Sequence, residues 1–272
     1  HRDLLSFPTR RSSDLRLLPI LTRIAVILIC WFYGVNAFAQ GDGTASNAYR
    51  IHNKEQLIAF ANCLATGNQF YYDYDNTICV TTVPESGSYN TIPAHGEGVY
   101  FVLMRDITLN QGNVAACDGE INLAWTVWPE TGVFKGHLLG ETHTISGMYI
   151  DRPEGTMNVG FFSKMEGDAH VEKLGIVNSY VKGGASNIGG MVGELSGGHI
   201  SNSFFEGSIR TSGNNVGGLI GLMTEYSGTL PEVSVCFASG HLDCSGDYVA
   251  GLVGKVEKGT VRQNYSSMIV QS

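Results

Sequence analysis

Apolar and polar positions in the second half of the chain recur as blocks. Asn158-Val159-Gly160-Phe161-Phe162-Ser163 is followed by Asn187-Ile188-Gly189-Gly190-Met191-Val192-Gly193, then by Asn215-Val216-Gly217-Gly218-Leu219-Ile220-Gly221 and Tyr248-Val249-Ala250-Gly251-Leu252-Val253-Gly254. The spacing is 29 from Val159 to Ile188, 28 from Ile188 to Val216 and 33 from Val216 to Val249. A five-residue insertion within Thr224 to Glu232 accounts for the longer interval, because Gly221 to Val233 spans 12 positions where Gly193 to Ile200 and Gly254 to Val261 span 7. Beyond it the register runs without a gap: Ile200, Phe204, Gly207, Ile209 and Val216 match Val233, Phe237, Gly240, Leu242 and Val249, and Val261, Tyr265 and Val270 continue the series.

A unit of about 28 residues is too short to fold alone and suits one turn of a solenoid made of three short strands and three corners. Each turn by itself would leave its apolar side in water. Stacking at about 4.8 Å pairs every strand with its neighbours and closes a shared core. The expected fold is therefore all-β, a parallel β-solenoid over residues 99–272. The same register places Phe204 and Phe237 inward, stacked one coil apart. Helical hairpins of similar length are disfavoured, since each glycine inside an apolar run would cost about 1 kcal/mol in a helix. Composition agrees, with 35 glycines and only 15% charged residues.

Upstream, over residues 40–98, the pattern predicts an N-terminal capping helix and an aromatic loop. Asn53 is the N-cap, Gln56 holds the capping-box position, and Leu57, Ile58, Phe60, Ala61 and Leu64 form an apolar face. A helix here would plug the first coil, whose strand edges and core need a cover. Val99 to Leu109 reads as a strand, and Trp125 and Trp128 as packing at the cap junction.

Gly190-Met191-Val192-Gly193, Gly218-Leu219-Ile220-Gly221 and Gly251-Leu252-Val253-Gly254 resemble GLUG repeats, named for Gly-Leu-any-Gly and found in bacterial surface proteins. Phe134-Lys135-Gly136 and Gly140 to Ile150 resemble the segment that commonly precedes such repeats, with Leu139 standing where that segment usually carries Asp. The resemblance covers about Val99 to the end. It implies an association with adhesins and with non-catalytic parts of secreted peptidases.

The first 39 residues are set apart from the fold. Ser6 to Leu15 closely resembles the conceptual translation of a sequencing adapter, so residues 1–15 are read as an artefact. Residues 16–39 read as a signal peptide: Arg16 and Arg23, an apolar run from Ile24 to Val35, and small residues Ala37 and Ala39 before a cleavage site at Gln40. The run falls short of the roughly 20 apolar residues a membrane span needs. The expected location is thus extracellular or at the cell surface, with no stable span after cleavage. The half-repeat from Val261 to Ser272 has no polar cap, and a continuation beyond it is expected. Residues 40–272 hold 12 basic and 23 acidic residues, which argues against nucleic acid as a partner.

The expected partner is an extracellular glycan or protein. Tyr71, Tyr72 and Tyr74, set among Asp73, Asp75 and Asn76, offer aromatic faces for a ligand, as does Tyr226 in the insertion; covering the cap, or an ordinary surface loop, are the structural alternatives. No metal or other cofactor and no catalytic residue is assigned. His137, Glu141 and His143 lack the helical zincin spacing, His170 and His199 fall at expected corners, and Asp168, Asp243 and Asp247 do not share a coil position with neighbouring acids as a lyase groove would require. A non-catalytic stalk of a larger secreted enzyme and a polysaccharide lyase or hydrolase are the alternative readings. In an exported chain Cys63 is expected to pair with Cys79 and Cys236 with Cys244, leaving Cys117 free, with reduced buried thiols as the alternative.

Overall fold

The computed structural model describes residues 41–116 and 126–271. The adapter-like segment, the expected signal peptide, Cys117 and Trp125 lie outside the described residues.

The chain winds as a parallel β-solenoid with three sheet faces. The first face follows Tyr49–Ile51, Tyr100–Leu103, His137–Leu139, Phe162–Glu172, Val192–Ser201, Ile220–Thr224 and Val253–Val256. The second runs through Ile107–Thr108, Thr144–Ser146, Gly175–Gly183, Phe204–Thr211, Phe237–Cys244 and Tyr265–Gln271. The third is narrow, with Met157–Val159, Ser186–Gly189, Asn214–Gly217 and Val249–Ala250. Val159 pairs with Ile188, Ile188 with Val216 and Val216 with Val249, the equivalence that the repeat spacing predicts. Likewise Ile200 pairs with Val233 and Ile209 with Leu242.

Core residues form columns along the stack. Leu138, Val171, Ile200 and Val233 occupy one column, and Ile150, Val181, Ile209 and Leu242 another, all buried. Ile145, Ile176, Phe205 and Ala238 form the column that contains the second-face aromatic. Phe204 and Phe237 do stack, at 4.6 Å between ring centroids and 4° between planes. They point outward, however, and are only half-buried, while Phe205 is the fully buried ring. Side chains alternate across a strand, so placing the inward residue one position early reverses the face. The paired phenylalanines hid this, since either of Phe204 and Phe205 satisfies an apolar position.

Two corner columns hold the coils in register. Asn158, Asn187, Asn215 and Tyr248 all take left-handed backbone, with φ of 59°, 60°, 54° and 58°. The Asn187 amide donates to the Asn158 side-chain oxygen at 2.8 Å, and the Asn215 amide to that of Asn187 at 2.7 Å. Asparagine tolerates this conformation and supplies one ladder hydrogen bond per coil. The last glycine of each motif fits against this turn: a Cβ on Gly221 would lie 2.4 Å from the Asn187 carbonyl carbon. The second column is Lys173, Asn202, Val235 and Gln263, with φ between 50° and 57°. Val235 is β-branched and half exposed there, a poor residue for left-handed backbone.

The helix spans Lys54–Ala65. Asn53 accepts from the Gln56 backbone N–H at 2.9 Å, and the Gln56 side chain reaches back to the N–H of His52 rather than of Asn53. Its buried face, with Leu57, Phe60, Ala61 and Leu64, packs against the first strands, Phe60 lying 4.6 Å from Phe101 and 6.0 Å from Phe134 between centroids. Three expectations change in this region. Tyr49–Ile51 pairs with Phe101–Leu103, so the first face begins before residue 99. The Val99 to Leu109 strand is broken into Tyr100–Leu103 and Ile107–Thr108, because the chain turns a corner from the first face to the second. Trp128 packs on the repeat: it stacks on Phe161 at 4.6 Å, and its indole N–H donates to the Phe161 carbonyl at 2.9 Å.

Truncating Phe205 to Ala is expected to cost about 3 to 5 kcal/mol in denaturant unfolding, and truncating Phe204 only about 1 kcal/mol. Equal costs would contradict the face assignment. Replacing Val235 with Asn, the residue of the preceding coil, should raise stability by about 1 kcal/mol through relief of the left-handed strain; a lowered midpoint would show that Val235 contributes by contact instead.

Candidate functional site

Three surfaces gather the side chains that sequence singles out: the tyrosine-rich segment, the insertion, and a histidine column between them. The tyrosine segment is a sheet and not a loop, with antiparallel strands Phe70–Asp73, Ile78–Val80 and Tyr89–Ile92. Alternation in the first strand sorts its tyrosines. Tyr72 is buried at 2% exposure, stacked 4.5 Å from Tyr49, and its hydroxyl is held protonated by that burial. Tyr74 packs beside it and donates to the Gly41 carbonyl at 2.6 Å. Tyr72 is therefore not available to a ligand, and Tyr74 is engaged with the chain itself. Tyr71 faces the other way, half-buried, in an edge contact of 5.6 Å with the exposed Tyr89. Asp73 accepts from the side-chain amide of Asn76 and from the backbone N–H of Asp75, and these bonds, the first above all, hold its carboxyl below the usual range. The alternation of Phe70 to Asp73 and the turn residues Asp73 to Thr77 were the signal for this hairpin.

The insertion does not project. Ser227 and Gly228 take positive φ, closing a tight turn in which the backbones of Tyr226 and Thr229 exchange two hydrogen bonds. The loop lies back along the first face. A Cβ on Gly197 would stand 3.3 Å from the Tyr226 Cβ, and one on Gly167 would stand 3.8 Å from its ring. The Lys135 ammonium lies 5.4 Å from the Tyr226 ring centroid and donates to its hydroxyl at 3.5 Å. Lys135 also meets Glu166 at 3.6 Å, and Lys164 bridges Glu166 at 2.8 Å and Glu194 at 3.1 Å. Against the opposing effect of burial, Tyr226 and Glu166 hold the Lys135 ammonium above its usual pKa. The Tyr226 ring thus lies over earlier coils, and Leu230, just past the turn, is left exposed.

His137, His170 and His199 occupy one column of the first face, in strands and not at corners. His137 stacks on Tyr100 at 4.1 Å, and His170 stacks on His199 at 4.9 Å with parallel planes. Nε2 of His170 lies 3.5 Å from the Ser201 hydroxyl, and Nε2 of His199 lies 3.1 Å from that of Ser234. Glu232 continues the column, 3.8 Å from His199. Burial lowers the pKa of His137 and His170, the latter helped by the neighbouring His199 and opposed by Glu172 and Asp168. His143 lies apart, 3.4 Å from Asp106, so the His137, Glu141 and His143 trio does not assemble. Among the described residues no three His, Cys, Asp or Glu side chains are placed to hold a metal ion. The histidine column is legible in the register of the sequence, since His170 and His199 are 29 apart.

Cys63, Cys79, Cys236 and Cys244 are buried thiols. Cys236 immediately precedes the strand Phe237–Cys244 that Cys244 ends, which sets them about 26 Å apart at about 3.3 Å per residue, and they cannot bridge. Cys79 is held protonated by its hydrogen bond with Cys63 and by burial. Burial pushes both Cys236 and Cys244 up to about 11.

No protein-family model matches the chain. A stretch of 101 residues, 37% of the chain, is 40% identical to Halomucin of Haloquadratum walsbyi, and the chain spans about 1% of that protein's length. A solved structure from Bacteroides ovatus, described as a candidate immunoglobulin A1 protease, is similar at a TM-score of 0.45 and 17% identity, covering 86% of this chain and 78% of that one.

The histidine column makes stability depend on pH. Because the folded pKa values of His137 and His170 lie below the unfolded value near 6.5, the unfolded chain takes up protons first as pH falls. Stability is full above about pH 6.5 and declines below it until the folded histidines also titrate. Replacing His170 with Asn should flatten the melting midpoint between pH 7 and 5. An unchanged slope would show that other groups govern it.

Proposed function

We propose that the chain is a non-catalytic, exported binding protein of the adhesin kind, built from GLUG-type repeats and capped at its N-terminal end by the helix Lys54–Ala65. The observation that carries this reading is the way the titratable side chains are arranged. Lys164 and Glu194, or His170 and His199, repeat in columns along the coil axis, each partnered by a neighbour in its own face. Nucleophilic or acid–base catalysis needs a base, its orienting partner and a reacting centre to converge within hydrogen-bond reach of one point. Groups partnered side by side along one face offer an extended surface instead. The partial similarity to Halomucin supports the same reading, as does the apolar leader from Ile24 to Val35. The ligand is an extracellular glycan or protein, with Tyr71 and the exposed Tyr89 beside it as the aromatic contact that the tyrosine segment retains.

Incubation of the purified protein with a panel of polysaccharides and matrix proteins, with and without chelator, tests the reading. Retention without turnover, unaffected by chelator, is the expected result. Release of unsaturated sugars or peptide fragments, abolished by replacing one acid or histidine, would overturn it in favour of an enzyme.

A further inference from the structure

The second face ends, at its junction with the third, in a row of charged side chains on four adjacent strands. Asp151 pairs in register with Lys182, Lys182 with Arg210, and Arg210 with Asp243. The order along the axis is therefore acid, base, base, acid. Like charges on directly neighbouring strands are unfavourable, and here two cations stand about 4.8 Å apart in strand spacing with no acid between them. Their carboxylate partners lie on the outer sides, Asp151 at 3.6 Å from Lys182 and Asp243 at 3.2 Å from Arg210. The Lys182 side chain is 42% exposed and that of Arg210 53%. Exposed pairs of this kind contribute little stability and exchange readily for another anion.

A groove of about 480 Å³ runs over this row, lined by all four side chains together with Arg152 and Glu154. Arg152 is a third cation. Its guanidinium donates to the carbonyls of Trp128 at 2.6 Å and Asp151 at 3.2 Å, and it pairs with no carboxylate among the described residues. Beside it in register stands Gly183, where a Cβ would collide with the Arg152 carbonyl oxygen at 1.7 Å, so no side chain fills the groove at that point. Exposed Ser212 and Ser245 add hydroxyls to the lining, whose one bulky apolar member is Pro153.

We infer that this groove binds an anionic glycan, with a carboxylate or sulfate seated between Lys182 and Arg210 and backed by Arg152. The inference rests on the reading of the chain as a surface-binding protein and names the ligand class. A peptide would need apolar pockets for anchoring side chains, which this lining lacks. A polyhydroxylated chain needs hydroxyl and backbone partners along a line and a cation where its acid group falls. Guanidinium suits both anions through paired N–H donors. The row spans about 14 Å across four strands, long enough for a few sugar units along the axis. Asp151, Glu154 and Asp243 balance the groove's three cations, so binding is local to the central pair and not a general attraction of polyanions.

Titration calorimetry with the full chain would use polygalacturonate, dextran sulfate, neutral dextran and polyglutamate. Binding of polygalacturonate, dextran sulfate or both, with dextran and polyglutamate inert, is expected, and the two anionic arms separate carboxylate from sulfate. Combining Lys182→Gln with Arg210→Gln should weaken binding about tenfold or more, while Arg262→Gln, outside the groove, should leave it unchanged. Combining Asp151→Asn with Asp243→Asn should tighten binding several-fold by freeing the cations, an effect that misfolding cannot produce. Polyglutamate bound as tightly as the glycans would overturn the inference in favour of an acidic peptide, and indifference to both pairs of substitutions would remove the site. Retention of neutral glycans or matrix proteins alone would sink this inference and leave the binding function standing. Retention of nothing would sink both.

Discussion

Parallel stacking in register, one coil above the next at about 4.8 Å, is the constraint on which every other feature depends. It forces each position of a coil to meet its equivalent in the neighbouring coils, so a residue must suit its own copies before it suits anything else. Buried aliphatic columns meet that demand easily. Asparagine meets it at the left-handed corner, where its amide donates upward and its oxygen accepts from below. Tyr248 and Val235 accept the same backbone without that hydrogen bond, and both lie toward the later coils, where Val256, Val261 and Val270 are also more exposed than their earlier equivalents.

The same rule explains the surface. Aromatic rings repeated at one position become a ladder, as in Phe204, Phe237 and Tyr265, with successive centroids 4.6 and 5.0 Å apart. Histidines become a column, His137, His170 and His199, in which burial and then the flanking rings lower the proton affinity of the central His170. Charges cannot simply repeat, because like neighbours repel, and the chain resolves this differently in two places. On the first face Lys164 faces Glu194, and charge alternates between these two neighbouring strands. On the second face Lys182 faces Arg210, and it does not.

What the sequence disclosed follows from what the stacking repeats. The coil period, the equivalence of Val159, Ile188, Val216 and Val249, and the cancelling effect of the insertion are properties of repeated residues, and all could be read from spacing. Which of Phe204 and Phe205 faces inward could not, since the repeat fixes the column but alternation fixes the face, and two adjacent aromatics satisfy both choices. The Phe70 to Ile92 sheet occurs once, so no copy reinforced its pattern. The groove partners were visible singly as Lys182, Arg210 and Asp243 but scattered over 62 positions of chain. Only the register brings them side by side.

The insertion shows how a departure from the repeat is accommodated. Five added residues could have projected as a free loop, yet they fold back over positions where earlier coils carry Gly167 and Gly197, the two places on that line with no side chain to obstruct a ring. Tyr226 occupies that gap and reaches Lys135, 91 residues earlier. Its contacts therefore tie a late coil to an early one across the intervening strands. A contact of this span matters more in a solenoid than in a globular domain, because coils otherwise touch only their nearest neighbours and can separate one at a time. Tyr226 is better understood as a strap along the stack than as a ligand contact, which leaves the charged groove of the second face as the proposed binding surface.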